Sequence, residues 1–177
     1  ILSDSQINLC SVGRLTEQKG YVRLIRILGG LKNKVNKDWQ LYILGQGDQK
    51  KYIEEAIIEY GIQDYVHLLG YHINPYKYVS KMDLFICSSY REGYSTAVTE
   101  SIVVGTPVIT TDCAGMKEII GDSNAGIIVQ NTDESLSHIL EELLTGRIDI
   151  LELKANAIKR SASFNKSNIK EFEDVIS

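Results

Sequence analysis

The 177-residue sequence is poor in residues that break or staple a chain, with two prolines, three cysteines and one tryptophan. It also lacks any apolar run near the roughly 20 residues that cross a bilayer. The opening stretch, ILSDSQINLC, has neither the charged nor the apolar region of a signal peptide. It does not begin with methionine, so a fragment or a processed piece is expected. Cys10, Cys87 and Cys113 are scattered, without disulfide or metal-ligand spacing. Cys10 and Cys87 fall in predicted strands and read as small core hydrophobes, and Cys113 reads as a loop residue open to solvent. Such usage suits a reducing cytoplasm. Basic residues are not in excess: the formal net charge is -4, which disfavours a general nucleic-acid surface. Repeats, low-complexity tracts and interdomain linkers are missing as well. A hydrophobic content of 44% and a charged content of 24% are ordinary for a globular chain. The length suits one well-packed domain over residues 1–177.

Short apolar runs alternate with amphipathic ones. Strands are predicted at Ile7–Val12, Trp39–Leu44, Tyr65–Leu69, Asp83–Cys87, Val108–Thr110 and Gly126–Val129. Helices are predicted at about Tyr21–Lys34, Gln49–Tyr60, Asn74–Lys81, Ser95–Val104, Gly115–Ile120, Asp133–Leu144, Asp149–Ser161 and Lys166–Ile176. Gly61, Gly105 and Gly146 stand where helices stop, Pro75 where a first turn tolerates it, and Pro107 where the helix before Gly105 cannot resume. Strands alternating with helices imply right-handed crossovers and an α/β fold: a three-layer, Rossmann-like parallel sheet with helices on both faces. Ligands of such folds bind at the carboxyl ends of the strands. The loops at 13–20, 45–48, 70–74, 88–95 and 110–115 are expected to gather there.

The richest stretch is SSYREGYSTAVTESIVVGTPVITT, Ser88 to Thr111. It reads as a charged loop, a helix capped by Ser95 or Thr96, a tight stop and a buried strand. A helix start offers unpaired N–H groups and a partial positive charge, which attract anions such as phosphate. The amides of Gly93, Tyr94, Ser95, Thr96 and Ala97 are the candidates. Glu100, about one turn further in, can accept two hydrogen bonds from vicinal ribose or sugar hydroxyls. Glu92 lies in the loop on the outer side. Two carboxylates flanking an anion-binding helix start suit a nucleotide sugar; a solvated acidic loop with a surface glutamate is an equally open reading of these residues alone.

A second group follows the first strand, GRLTEQKG, Gly13 to Gly20. Arg14 offers a planar fork for two phosphate oxygens and Lys19 a point charge, and one loop lets both reach a single diphosphate. Gly13 and Gly20 allow sharp turning and close approach. Taken alone, Arg14 and Lys19 read rather as surface charges beside a helix-capping Thr16. Their place at the same sheet edge as Glu92 and Glu100 favours the site.

Together GRLTEQKG, LYILGQGDQKKYIEE, VHLLGY, the paired-glutamate stretch, TDCAGMKEII and GIIV resemble, in order and spacing, the nucleotide-sugar-binding domain of retaining, two-domain glycosyltransferases of the family-4 type. Their hallmark, a Glu, seven residues and a second Glu, is matched by Glu92 and Glu100. The resemblance covers about Asn8 to Gly146 and implies a set of roles. Arg14 and Lys19 bind the diphosphate and stabilise its departure, with Gly13 beside them. Glu100 binds the ribose, Glu92 faces the donor sugar, and the amides of Gly93 to Thr96 contact sugar and phosphate. The backbone near Tyr71 and His72 meets the base, with Lys77 nearby. No metal or cofactor is expected, the nucleotide sugar, with UDP as the prior choice, being a substrate. The family has two domains, and this chain resembles the C-terminal one. The N-terminal domain, which mostly shapes the acceptor site, is then missing, and the chain alone is expected to bind donor weakly and to transfer little. The family also implies a saccharide or glycolipid acceptor, surface polysaccharide synthesis and a cytoplasmic place, with any membrane contact made by the full-length protein. Two departures stand out: Ser95 replaces a common Gly, so its backbone must avoid positive φ, and Cys113-Ala114-Gly115 replaces a commoner Gly-Gly pair.

Other features carry less. Gly45-Gln46-Gly47 matches the start of a dinucleotide fingerprint, but Lys50 stands where its third Gly belongs, and a loop lining the cleft is expected instead. His67 reads as a core or edge residue and His138 as helix exterior. Ser88-Ser89 is no nucleophile elbow, since no G-x-S-x-G surrounds it. The competing classes are a non-catalytic nucleotide-binding or receiver-like module and half of a sugar-nucleotide epimerase. A receiver would need acidic residues after its first strand and an Asp after its third, which this chain lacks. A relic would be expected to lose Arg14, Lys19 or a glutamate, and an epimerase would need catalytic residues outside the chain.

Overall fold

The computed structural model describes residues 6–164. Six strands are present among them: β1 (Gln6–Val12), β2 (Asp38–Leu44), β3 (Val66–Gly70), β4 (Leu84–Cys87), β5 (Val108–Thr111) and β6 (Gly126–Val129). Between and after them lie α1 (Tyr21–Leu31), α2 (Lys50–Glu59), α3 (Tyr76–Val79), α4 (Thr96–Val103), α5 (Met116–Ile120), α6 (Asp133–Leu144) and α7 (Ile150–Ser161). The strands form one sheet in the order β3-β2-β1-β4-β5-β6, and every neighbouring pair is parallel. The expected α/β, Rossmann-like layering is therefore present, and the order reverses between β1 and β4.

Side-chain alternation along the central strands builds two cores. Leu9, Leu84, Ile86 and Ile109 face one side with Leu24, Ile25 and Leu28 of α1, Ile53 of α2 and Leu136 and Leu140 of α6. Their chain neighbours Cys10, Phe85, Cys87 and Val108 face the other with Val98 and Ile102 of α4, Met116 and Ile119 of α5 and Ala157 of α7. Period-two alternation on a sheet covered on both faces explains why these strands read as unbroken apolar runs. Each fully buried Leu or Ile contributes roughly 1.5–3 kcal/mol of transfer free energy. Cys10 and Cys87 are core residues whose thiols burial pushes up, while Cys113 is half-exposed. His67 sits on edge strand β3, hydrogen-bonded to Gln40 and stacked on Tyr42. His138 is exposed on α6.

Most element ends fall where the punctuation residues stand. Gly61, Gly105 and Gly146 take positive φ just beyond α2, α4 and α6. Ser95 caps α4, its Oγ accepting from Val98 N at 3.4 Å, and its φ of -82° is the non-glycine geometry its side chain requires. Two helices are shorter than the pattern suggests. α1 stops at Leu31 instead of Lys34, because Gly29 and Gly30 weaken its last turn. Gly29 has a packing reason: a Cβ there would stand 2.5 Å from Tyr60 Cβ. α3 is a single turn, Tyr76–Val79, with Asn74 Oδ1 accepting from Lys77 N at 3.3 Å. Thr16 makes no capping hydrogen bond; it precedes a short 3-10 turn, Glu17–Lys19, and α1 begins only after Gly20. The predicted helix 166–176 lies outside the described residues. No described helix is long and apolar enough to cross a membrane.

Gly20 fixes the entry to α1. Its φ is +66°, and a Cβ on it would lie 2.2 Å from the carbonyl oxygen of Ser88. Gly61 has a similar φ of +63° but open space around it. Gly61→Ala is expected to cost about 1–2 kcal/mol, the left-handed penalty alone. Gly20→Ala is expected to cost about 3 kcal/mol, because a backbone clash adds to that penalty. Urea unfolding of both variants checks this, and equal midpoints would show that the two loops part without cost.

Candidate functional site

The β1–β4 break is where a parallel sheet of this order opens a crevice at its carboxyl edge. Five loops meet there and are tied by backbone and hydroxyl hydrogen bonds. On the β2 side, Gly13 N donates to Leu44 O at 3.0 Å, Leu15 N to Gln46 O at 2.9 Å and Gly45 N to Gly70 O at 2.7 Å. On the β4 side, Tyr90 N donates to Gln18 O at 2.8 Å, and Ser88 Oγ donates to Lys19 O at 3.0 Å. Further along the edge, Thr111 Oγ1 donates to Ser89 O at 2.6 Å. The Gly45–Gly47 stretch is indeed a loop of the cleft, and Gly45 and Gln46 line a pocket in it.

The two charged constellations meet across the break. Lys19 Nζ donates to Glu92 Oε1 at 2.6 Å, and Ser89 Oγ donates to the same oxygen at 2.6 Å. Lys19, Ser89, Glu92 and Ser95 line one narrow strip with Ser11 beneath. Arg14 points to the β2 side. With Gly13, Gly45, Gln46, Tyr71 and His72 it lines a pocket of about 270 Å³. His72 is held there by its Nε2 at 3.1 Å from Leu69 O and by its ring against Tyr78. The structure thus brings together Gly13, Arg14, Tyr71 and His72 in one recess, and Lys19, Glu92 and Ser95 in the adjoining strip. Gly93, Tyr94 and Thr96 are exposed at the start of α4 and line neither. Lys77 is exposed on α3, outside the recess.

Glu100 is half-buried on α4, one turn beyond Thr96. Burial pushes its carboxyl up to about 7, because removing a carboxylate from water penalises the ionised form. Glu100 lines neither the recess nor the strip.

Several positioning residues went unnoticed in the sequence. Arg23 is 2% exposed on α1. Its Nη1 donates to Asn131 Oδ1 at 2.7 Å, and its Nε lies 2.8 Å from Asp133 Oδ1, an ion-pair distance out of hydrogen-bond alignment. Its guanidinium also lies 4.8 Å from the centre of the Tyr90 ring. Asn131 Nδ2 then donates to Tyr90 O at 2.8 Å. This chain of contacts fastens the β4 loop from behind, and Gln18 Nε2, donating to Arg91 O at 2.8 Å, fastens it from the front. The sequence signal for Arg23 is a charge inside an apolar helix run, YVRLIRIL; for Asn131 there is none, since its partners are remote in the chain.

Comparison with known proteins shows the family. The family described as "Glycosyl transferases group 1" matches residues 2–163. The N-acetylgalactosamine-N,N'-diacetylbacillosaminyl-diphospho-undecaprenol 4-alpha-N-acetylgalactosaminyltransferase of Campylobacter jejuni is 34% identical over 163 residues, 91% of this chain and 44% of that protein. The lipopolysaccharide glucosyltransferase WaaG of Escherichia coli is 28% identical over 147 residues, 81% of this chain and 39% of that protein. A crystal structure of WaaG, a glycosyltransferase involved in lipopolysaccharide biosynthesis, superposes with a TM-score of 0.83 at 25% identity, over 99% of this chain and 48% of that one. The chain spans less than half the length of these relatives. By fold, motif order and family match, it belongs to the group 1 glycosyl transferases, whose members share the two-domain GT-B architecture.

Proposed function

We propose that the chain is the donor-binding, C-terminal half of a retaining glycosyltransferase that moves a sugar from a UDP-sugar to a saccharide or glycolipid acceptor in surface polysaccharide synthesis. The observation that carries this reading is the meeting of Lys19 with Glu92 at the β1–β4 break, beside the start of α4 and the Arg14 recess. In this reading the base lies in the recess by Tyr71 and His72, and Glu100 accepts from the ribose hydroxyls. The diphosphate lies between Arg14, Lys19 and the α4 amides, and the sugar lies against Glu92. The acceptor enters through the part of the protein outside this chain, which also makes any contact with the cytoplasmic face of a membrane.

The reaction breaks the bond between the anomeric carbon and the β-phosphate oxygen, and the electron pair leaves with the diphosphate. Arg14, Lys19 and the helix-start amides stabilise the negative charge as it develops, so that positive charge aimed at the leaving group lowers the barrier without need of a metal. The acceptor oxygen bonds to the anomeric carbon on the same face, and its proton passes to the departing phosphate oxygen. Glu92 orients the sugar and is not assigned as a nucleophile. Because Lys19 is paired with Glu92, the diphosphate must compete for it.

Arg14→Ala, Lys19→Ala and Glu100→Ala are each expected to weaken UDP binding by about 1–3 kcal/mol, the worth of a charge-assisted hydrogen bond. Calorimetry with UDP, GDP and ADP measures this, and parent-like affinity in all three variants would place the site elsewhere. Glu92→Gln frees Lys19 from its ion pair, so UDP is expected to bind at least as tightly as to the parent while turnover of the full-length enzyme is lost. Unchanged turnover would remove Glu92 from the site. Ribose hydroxyls donate to the ionised form of Glu100, whose folded value is raised to about 7. UDP affinity is therefore expected to rise with pH and to level off above that value, by up to about tenfold between pH 6 and 8. Glu100→Gln should flatten the profile, and a profile identical in the variant would refute the ribose role.

A further inference from the structure

A second hollow, of about 430 Å³, is larger than the Arg14 recess and takes no part in the donor reading. It lies over the first two turns of α1, between Gln49 and Tyr52 at the start of α2 and Tyr90 of the β4 loop. Its volume falls in the roughly 300–1,000 Å³ of small-molecule sites. Two large aromatic side chains remain in water at its walls, Tyr52 at 55% and Tyr90 at 43% exposure. Arg26 and Glu17 complete a polar rim.

The charges here cancel. Arg23 and Arg26 both pair with Asp133, at 2.8 and 2.7 Å, and Glu17 adds a second carboxylate. No lysine lines the hollow. A phosphate or other strong anion thus meets only arginines already paired with Asp133, beside the carboxylate of Glu17, which disfavours a nucleotide even though a base could stack on tyrosine. What remains is flat apolar ring surface beside planar polar groups: the guanidinium of Arg26, the amide of Gln49 and the carboxylate of Glu17. Flat rings take up the C–H face of a pyranose, and planar polar groups match pairs of vicinal hydroxyls.

We propose that this hollow is a binding site for a neutral oligosaccharide segment. Tyr21 lines both the hollow and the Lys19–Glu92 strip, so a saccharide held there lies across one side chain from the strip. The site goes beyond the donor reading and does not depend on it.

Titration of the full chain with maltotetraose, cellotetraose and chitotetraose tests the proposal by calorimetry. At least one should bind. Tyr52→Ala should weaken that binding about fivefold, whereas Tyr52→Phe should stay within about twofold, since stacking needs the ring and not the hydroxyl. Gln49→Ala, on the same wall, should weaken it too, and UDP affinity should be unchanged in all three variants. Failure of all three saccharides to bind overturns the proposal, as does equal binding by the parent, Tyr52→Ala and Gln49→Ala. Tighter binding of dextran sulfate than of any tetrasaccharide overturns the neutral assignment. Saccharide binding without UDP binding would sink the donor reading alone, and UDP binding without saccharide binding would sink this site alone.

Discussion

The close passage of Gly20 beneath the carbonyl of Ser88 is the constraint on which the rest of the site depends. A side chain at that point would push the β1 loop from the β4 loop, since even a Cβ would stand 2.2 Å from the Ser88 oxygen. With the loops apart, Ser88 could not reach Lys19 O, and Tyr90 N would lose Gln18 O. Lys19 would no longer be carried to Glu92. The same device works on the other flank. Cβ atoms on Gly45 and Gly47 would stand 1.9 Å from Gly13 O and 2.3 Å from Leu15 O. The β1 loop is thus clamped from both sides by backbone contacts that only glycine permits. That is how one flexible loop can present Arg14 to one recess and Lys19 to the next with little freedom left to lose on binding.

The clamp also explains why a buried arginine is tolerated in α1. Arg23 is desolvated, and a buried cation is costly unless its donors are taken up. Asn131 accepts from Nη1, Asp133 supplies an opposite charge and Tyr90 a ring face, while Nε is left without a hydrogen bond, and these contacts tie α1 and the start of α6 to the β4 loop. Tyr90 stands two residues before Glu92, so the tie also steadies the loop that carries Glu92.

What was legible in the sequence follows from how local each feature is. Strand and helix succession could be read because short unbroken apolar runs mark strands buried on both faces and amphipathic runs mark the helices that cover them, and Gly61, Gly105 and Gly146 end helices by their own backbone freedom. The length of α1 could not, because Gly29 is kept by contact with Tyr60 from another element. The proximity of Lys19 and Glu92 was approachable because both loops follow strands that the fold places side by side. Ser89 and Asn131 were out of reach, since a serine or an asparagine looks the same in sequence whether it holds a catalytic loop or faces water. The roles of Gly93, Tyr94 and Thr96 were read from helix-start physics, and all three are exposed at the start of α4.

Two of the charged groups assigned to the proposed site are already balanced within the chain, and that bears on how the site would work. Lys19 is neutralised by Glu92, and Glu100 titrates near neutrality because it is desolvated. In the proposed reading the donor diphosphate exchanges with Glu92 for Lys19 and meets the exposed Arg14, and the ribose favours ionisation of Glu100. Each exchange breaks one favourable interaction to make another, so ground-state affinity reflects small differences between large terms. In that reading Lys19 and Arg14 help to bind the diphosphate and contribute more where new negative charge appears as it departs, which is the distribution that raises turnover.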